Sequence, residues 1–215
     1  MLKLRYDVFG AEVLGGAKLV GKYEFPRTEG VCRTTPPSRI IPFDRMKEAG
    51  VGDWLHFYVH DKRFQNFLSR RLHYREVLAH LGGFVGIDNS MYRDLPLAEQ
   101  IHSCYLNRAI DYYLHSLGKP VVANVSWGDW RSYEFCFDGI AANATVAVST
   151  YGCCRSRIDR SHFEDGFVVM LERLSPHSVW LHGAVWRELE ELVAYHRVRL
   201  SRIPSHRESL AKKGA

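Results

Sequence analysis

The chain has 215 residues, of which 46% are hydrophobic and 25% charged, and this composition is typical of a globular domain with one sizeable core. No apolar run approaches the roughly 20 residues that a membrane helix needs. The amino-terminal stretch MLKLRYDVFG has no continuous apolar core, which argues against a secretory signal. These features exclude a membrane-spanning protein and predict a cytoplasmic one without a membrane partner.

The five cysteines are irregularly spaced and include no C-x-x-C pair. An odd, irregular set favours reduced thiols over a disulfide framework and agrees with a cytoplasmic location. Cys153 and Cys154 are adjacent. Two small residues after a strand are the simpler interpretation, and metal or redox use is the alternative. No motif predicts a metal site, and the sequence identifies no cofactor.

The net charge of +5 lies in the carboxyl-terminal tail. Arg197 to Ala215 holds six basic residues and one acidic residue, so the rest of the chain is neutral as a whole. The basic stretch from Arg197 to Lys213 either contacts nucleic-acid phosphates or ends the chain as a solvated, frayed segment. A neutral body argues against an extensive nucleic-acid groove, which normally needs a basic face.

In chain order, residues 1–50 differ from the rest. They contain Gly15-Gly16, Pro26, Pro36-Pro37 and Pro42, with short strand-like pieces at 18–23 and 39–41. Because Gly and Pro interrupt regular elements, this segment is predicted to be an irregular cap packed on the core.

Residues 51–196 repeat a unit of strand, loop and helix, and residues 197–215 form the basic tail. Near-continuous apolar or aromatic runs predict strands at Trp54–Val59, Phe84–Ile87, Val121–Val125, Thr145–Val148 and Val179–Leu181. Apolar residues at three- and four-residue steps predict helices at Arg63–Leu81, Leu97–Leu117, Phe163–Leu174 and Trp186–Tyr195, with a short helix or turn at Tyr133–Gly139.

Strands that alternate with helices across short connections predict an α/β fold with a parallel sheet and right-handed crossovers. About five βα units are too few for a closed eight-stranded barrel. The sheet is therefore predicted to be open or an incomplete, barrel-like arc.

Polar side chains gather where the predicted strands end. These ends read His60-Asp61, Asp88-Asn89-Ser90, Ser126-Trp127-Gly128-Asp129, Ser149-Thr150-Tyr151-Gly152 and His182-Gly183. In open parallel sheets and in barrels, ligands bind beyond the carboxyl ends of the strands. The sequence therefore predicts a pocket at this rim.

Two carboxylates, Asp88 and Asp129, are the candidate catalytic residues, because neighbouring acids can divide acid and base roles when their environments separate their pKa values. Trp127 is a candidate stacking wall for a ring-shaped ligand. The other candidate ligand contacts are Asn107, Arg108, Ser149, Thr150, Gly152 and His182, with Arg155 as a further anion contact.

Each candidate also has a structural interpretation. Asp129 is suited to cap the next short helix, and Asp88 to form a turn through its own backbone. Ser149, Thr150 and His182 are equally suited to hydrogen bonds within loops, and Arg108 to pairing with Asp111 three residues on.

Several of these segments resemble one bacterial family, the domain of unknown function 4417, whose members also occur on phages and mobile elements. The similar motifs are S-W-G-D at 126–129, C-F-D-G-I at 136–140, V-A-V-S-T-x-G at 146–152 and N-R at 107–108. The resemblance spans roughly residues 40–186 and implies that Asn107, Arg108, Trp127, Asp129, Asp138, Ser149, Thr150 and Gly152 matter to the family. The chain departs from the family pattern at Gly86–Ser90 but keeps an aspartate and a serine there.

Two functions from different classes remain open at this point. The first is a small enzyme or ligand-binding domain that takes a small molecule at the rim. The alternative is a nucleic-acid-associated accessory protein of a phage or mobile element, held to phosphate by its basic tail.

Overall fold

The structure is a computed structural model, and it describes residues 11–32, 35–67 and 69–203. The end of the predicted basic tail, with Arg207, Lys212 and Lys213, lies outside the described residues. None of the described helices is long and apolar enough to cross a membrane.

A seven-stranded parallel sheet forms the centre of the molecule, and its strands keep their order along the chain. They are β3 (Ile40–Pro42), β4 (Trp54–His56), β5 (Gly83–Val85), β6 (Val121–Asn124), β7 (Thr145–Ser149), β8 (Ser178–His182) and β9 (Arg199–Arg202). Two shorter strands, β1 (Leu19–Val20) and β2 (Phe25–Pro26), pair antiparallel in a separate small sheet. The predicted α/β class with a parallel sheet is confirmed.

The large sheet curls into a half-barrel. Trp54 on β4 and Trp180 on β8 are four strands apart in the sheet, a separation of roughly 19 Å if the sheet were flat. Their rings nevertheless contact each other, with centroids 5.6 Å apart. The concave face thus holds a buried apolar cluster around the two indoles. The buried hydroxyls of Thr145 and Ser178 lie at the amino ends of β7 and β8, and the polar groups of the rim lie towards the carboxyl ends.

In the described part of the chain, α1 (Arg71–His80) follows β4, α2 (Leu97–Ser116) follows β5, α3 (Arg157–Leu174) follows β7 and α4 (Arg187–Tyr195) follows β8, whereas a 3₁₀ helix (Trp130–Glu134) follows β6. Strands that keep chain order with crossovers of one hand carry their helices on one face of the sheet. The outward side chains of the strands pack there in two large apolar clusters. The sheet is therefore covered on both faces, which explains the near-continuous apolar runs in the sequence.

Local signals account for where several elements begin. Ser156 and Asp159 form a reciprocal capping box at the start of α3, and α2 begins directly after Pro96. The first helix starts later than predicted, at Arg71 instead of Arg63. A 3₁₀ turn at Asp61–Arg63, capped by the His60 ring, precedes it.

The sheet takes in one strand from each segment that the sequence set apart. β3 comes from the predicted amino-terminal cap and pairs with β4, and β9 comes from the start of the predicted tail and pairs with β8. The predicted unit of strand, loop and helix is present in its central part, and these two strands extend the sheet at both edges.

Candidate functional site

A cavity of about 800 Å³ opens at the carboxyl ends of β4 to β7. Loops that follow these strands line one side, and the first two turns of α3 line the other. Its size falls within the roughly 300–1,000 Å³ that is usual for small-molecule sites. The structure thus has a cavity at the rim where the sequence predicted a pocket.

Asp88 follows β5 and lines this cavity in a half-buried position. Its Oδ1 accepts a hydrogen bond of 2.8 Å from the amide of Asn124, a buried residue at the end of β6. The Oδ1 of Asn124 in turn accepts a 3.0 Å hydrogen bond from the hydroxyl of the buried Tyr58. The end of β6 and the segments that follow β4 and β5 therefore hold the carboxyl group in a fixed orientation.

The surroundings of Asp88 favour its neutral form. Burial raises the pKa of Asp88 to about 6, the Asn124 hydrogen bond acts in the opposite direction, and the nearby Asp61 raises the pKa further. A carboxyl group with a pKa near 6 exchanges its proton readily close to neutral pH, which is the property that general acid–base catalysis requires.

His182, at the end of β8, lies beside the same layer of polar groups. Its ring stacks on Tyr58 with centroids 4.7 Å apart, and its Nδ1 lies 3.1 Å from the hydroxyl of Ser149, which lines the cavity. Burial lowers the pKa of His182 to about 4, so the imidazole is neutral at pH 7. The His182 ring therefore adds no positive charge beside Asp88.

Trp127 lines the cavity and also packs on α3. Its indole lies over Gly166, where a Cβ atom would collide with the ring, and contacts Phe163 with centroids 5.0 Å apart. The predicted stacking wall is thus an aromatic wall whose outer side is braced by a helix.

Residues 149–154 divide between the cavity and the core. Ser149, Gly152 and Cys153 line the cavity, whereas Thr150 is buried and donates a 2.8 Å hydrogen bond to the carbonyl of Ala184. Gly152 has φ +85°, a conformation that glycine adopts without strain. Both adjacent thiols are free, and their sulfur atoms are 3.6 Å apart.

Asn107 and Arg108 on α2 are buried below the rim, outside the cavity lining. The Oδ1 of Asn107 accepts 2.8 Å hydrogen bonds from both the backbone and the side-chain nitrogen of Asn89, the residue after Asp88. Arg108 donates to the carbonyl oxygens of Asn124, Cys136 and Asp138 at 3.0–3.2 Å. Both side chains thus support the loops that carry the site.

The carboxylate of Asp111, on the same helix, lies 3.6 Å from Arg108 and accepts a hydrogen bond from the backbone of Ile87. Burial nevertheless raises the pKa of Asp111 to about 7, because the desolvation of this deeply buried carboxyl outweighs the attraction of the guanidinium. The expected pairing of Arg108 with Asp111 is therefore present, but in the core instead of at the surface.

Asp129 lies outside the cavity lining. Its carboxylate caps the 3₁₀ helix Trp130–Glu134 through the backbone of Arg131 and forms a 2.7 Å ion pair with the Arg131 guanidinium. These hydrogen bonds hold the pKa of Asp129 below its usual value. The structure does not bring Asp88 and Asp129 together in one site.

Tyr58, Asn124 and Asp61 belong to the same site but were not candidates from the sequence. Asp61 lines the cavity, and its two oxygens accept hydrogen bonds from the backbone and the hydroxyl of Ser90. The sequence signal that could have identified Tyr58 and Asn124 is the alternation of inward and outward side chains along a strand. Tyr58 falls on the inward set with Trp54, and Asn124 is a polar residue at an inward position of an apolar strand.

Within the described residues, no group of three or more His, Cys, Asp or Glu side chains is arranged to hold a metal ion. The described part of the basic tail forms β9, on which Arg199 and Arg202 are exposed at the edge of the sheet.

Comparison with known proteins relates the chain to a family and to two phage proteins. The model of the family described as "Domain of unknown function (DUF4417)" matches residues 17–198, a longer stretch than the resemblance in the sequence suggested. The "Gene 1 protein" of Mycobacterium phage D29 is 32% identical over 143 residues, and that of Mycobacterium phage L5 is 29% identical over the same length. Each alignment covers 66% of this chain, but only 53% and 62% of the respective relative. No solved structure matches the chain.

Proposed function

Because the chain belongs to the DUF4417 family, whose description assigns no activity, we propose its function from the cavity. The protein binds a small molecule at the carboxyl ends of the strands and exchanges a proton with it through Asp88. The observation that carries this proposal is the position of Asp88, a carboxyl group oriented by Asn124 and lining a cavity of suitable volume.

The surroundings of Asp88 support an acid–base role. In the free protein its pKa of about 6 leaves a mixture of protonated and ionised forms at neutral pH. The imidazole of His182 is neutral, and within the described residues no cation forms an ion pair with Asp88. A ligand with a basic or acidic group near this carboxyl therefore has a partner for proton transfer.

A thermal-shift screen tests the proposal. Wild type and Asp88→Asn are heated with single compounds from several classes, including sugar phosphates, nucleotides, amino acids and organic acids. We expect at least one class to raise the midpoint of wild type but not that of Asp88→Asn. The proposal fails if no class raises the wild-type midpoint, or if every stabilising compound acts equally on the variant.

A second candidate function is contact with nucleic-acid phosphate through the basic tail, which the exposed Arg199 and Arg202 on β9 support. Fluorescence anisotropy with a labelled oligonucleotide at two salt concentrations compares wild type with the Arg199→Ala/Arg202→Ala variant. Weaker, less salt-dependent binding by the variant is expected if this function is correct. Equal binding by the two proteins, or none by either, counts against it.

We also propose a cytoplasmic location. All five cysteines are unpaired, which supports a reducing compartment. Alkylation of intact cells with a thiol reagent, followed by mass spectrometry, checks this point, and a disulfide found in the purified native protein would contradict it.

A further inference from the structure

The cavity offers different contacts at its inner end and at its mouth. Asp88 is half-buried, whereas Arg155 lines the cavity as an exposed residue. A ligand that reaches from one to the other must satisfy a carboxyl group at one end and a guanidinium at the other.

At the inner end, one oxygen of Asp88 remains available. Its Oδ1 is engaged by Asn124, and within the described residues nothing donates a hydrogen bond to its Oδ2. The Asn124 amide is itself satisfied by Tyr58, so it stays in this orientation. An N–H group of a ligand fits the free oxygen, since a carboxylate accepts hydrogen bonds and gains most from a nitrogen donor when it is partly desolvated.

The walls between the two ends are aromatic. Tyr58, Trp127 and Phe163 lie on the inner part, and Tyr92 and Tyr151 are exposed nearer the solvent, 60% and 77% respectively. Both exposed rings border the same cavity as the inner three, so the aromatic side chains form one continuous lining. Flat rings bind well between such side chains through stacking, so the walls favour a planar ligand.

At the mouth, one guanidinium is available. Arg93 is paired with Asp159 at 3.2 Å, and Asp159 is also engaged by Ser156. Arg155 has no ion-pair partner among the described residues, and Asp94 is the remaining acidic residue of the mouth. A guanidinium binds phosphate well because its planar set of donors matches the phosphate oxygens.

We propose that the cavity binds a nucleotide, with its nitrogen heterocycle between the aromatic side chains, a ring N–H on Asp88 and a phosphate on Arg155. This inference rests on the proposed function and specifies its ligand class. The nucleotide is either a free mononucleotide or one residue of a nucleic-acid strand, since both present the same base and phosphate.

Isothermal titration calorimetry with the full chain tests the inference. The ligands are the four ribonucleoside monophosphates, their nucleosides, ribose 5-phosphate and inorganic phosphate. We expect at least one monophosphate to bind more tightly than its nucleoside and than ribose 5-phosphate. A short single-stranded oligonucleotide distinguishes the two sources, because a free-nucleotide site binds it more weakly than the monophosphate.

Three variants and one control test the proposed contacts with the nucleotide one at a time. Arg155→Ala should weaken the binding of the monophosphate about tenfold and leave the binding of its nucleoside unchanged. Asp94→Asn should strengthen only the phosphate-bearing ligand, because it removes a like charge from the mouth. Asp88→Asn should weaken the binding of nucleotide and nucleoside alike. Asp129 lies outside the cavity, so the control Asp129→Asn should change the binding of neither.

The inference is overturned if no monophosphate binds, or if ribose 5-phosphate or inorganic phosphate binds as tightly as the nucleotide. Its failure is distinguishable from that of the proposed function. Stabilisation of wild type, but not of Asp88→Asn, by another class in the thermal-shift screen would retain the site and reject only the nucleotide.

Discussion

Arg108 shows how a charged side chain can serve the site without entering it. It is 2% exposed, and its guanidinium donates to three backbone carbonyls, including that of Asn124, whose side chain orients Asp88. A buried guanidinium is tolerated only when its donors are satisfied, as they are here. The loops around the site therefore depend on a residue that the cavity never contacts.

Replacing Arg108 should be costly. We expect Arg108→Leu to lower the free energy of unfolding by about 3–5 kcal/mol, because three buried carbonyls and Asp111 lose their partner. Urea denaturation measures the difference. Arg187→Leu is the control, since Arg187 is exposed and forms an ion pair with Glu191 four residues on, an interaction typically below about 1 kcal/mol. Equal effects of the two substitutions would contradict the structural role of Arg108.

Asp129 is expected to be a stabilising cap. Asp129→Asn should lower the thermal midpoint, with a loss of about 0.5 kcal/mol, because the ion pair with Arg131 disappears while asparagine can still cap the helix. Asp94→Asn provides a matched control, an exposed aspartate at the mouth of the cavity. A raised midpoint for Asp129→Asn would return this residue to the functional candidates.

The sequence could not separate Asp88 from Asp129. Both follow predicted strands, and both have side chains suited to capping as well as to chemistry. The difference arises from their neighbours: Arg131, two residues on, turns towards Asp129, whereas Asn124 and Asp61, which are distant in the chain, surround Asp88. The cap at Asp129 has a local signal, but the contacts of Asp88 leave no local pattern in the sequence.

At the scale of elements, α3 and the loop after β6 shape the cavity wall together. Gly166 on α3 leaves room for the Trp127 indole, which would collide with a Cβ atom at that position. The helix is capped at its start by Ser156 and packs its buried face on the sheet, so its backbone cannot easily shift to make room.

Because of this packing, replacing Gly166 should have the opposite effect on stability from that of replacing an ordinary helical glycine. Gly-to-Ala substitution within a helix normally stabilises a protein by about 0.5–1 kcal/mol, but Gly166→Ala should destabilise it and displace Trp127. The measurements are the thermal midpoint and tryptophan fluorescence. Ser161→Ala, on the exposed side of the same helix, should change little. A raised midpoint with unchanged fluorescence would show that the indole is not packed on Gly166.

Strand prediction succeeded where the runs were apolar, and it placed a strand-like piece at 39–41, where β3 lies, although it assigned that piece to the cap and not to the main sheet. It missed β9, which reads Arg-Leu-Ser-Arg and lacks apolar continuity. An edge strand such as β9 has one pairing partner and one open side, so it needs less apolar character than a central strand. The predicted start of the first helix was early because Phe64 and Phe67 are buried from turns instead of from a helix.

At the scale of the whole molecule, buried ionisable groups make stability depend on pH in opposing ways. Asp88 and Asp111 have pKa values raised to about 6 and about 7, so the stability they contribute is complete at low pH and is lost as the pH rises through those values. His182, with its pKa lowered to about 4, opposes this trend, because its contribution is lost as the pH falls towards that value.

The difference in stability between wild type and Asp88→Asn isolates the contribution of the Asp88 ionisation. Asp88→Asn keeps an oxygen that can accept from Asn124 but removes the ionisation. Relative to wild type, the variant should therefore gain stability between pH 4 and pH 7. The gain should be about 1–2 kcal/mol. This is less than the pKa difference alone would give, because the side chain is partly exposed and its charge is partly screened by solvent. Thermal midpoints across this range provide the test, and a constant difference would show that Asp88 ionises normally.

On the concave face of the half-barrel, the packed indoles of Trp54 and Trp180 lie below the rim, and the polar groups of the site lie above them. The sequence predicted the rim, because it follows from parallel topology alone. It could not predict which rim residues face the cavity, because that depends on the curl of the sheet and on the path of each loop.

The most direct test of the site is a carbon-13 NMR titration of the aspartate carboxyl groups, with the Asp88 resonance assigned by its loss in Asp88→Asn. We expect this carboxyl to titrate with a midpoint near pH 6, whereas Asp129 titrates below its usual value. A midpoint near 4 for Asp88, as in an ordinary solvated aspartate, would contradict the claim that the cavity holds an acid–base group poised near neutral pH.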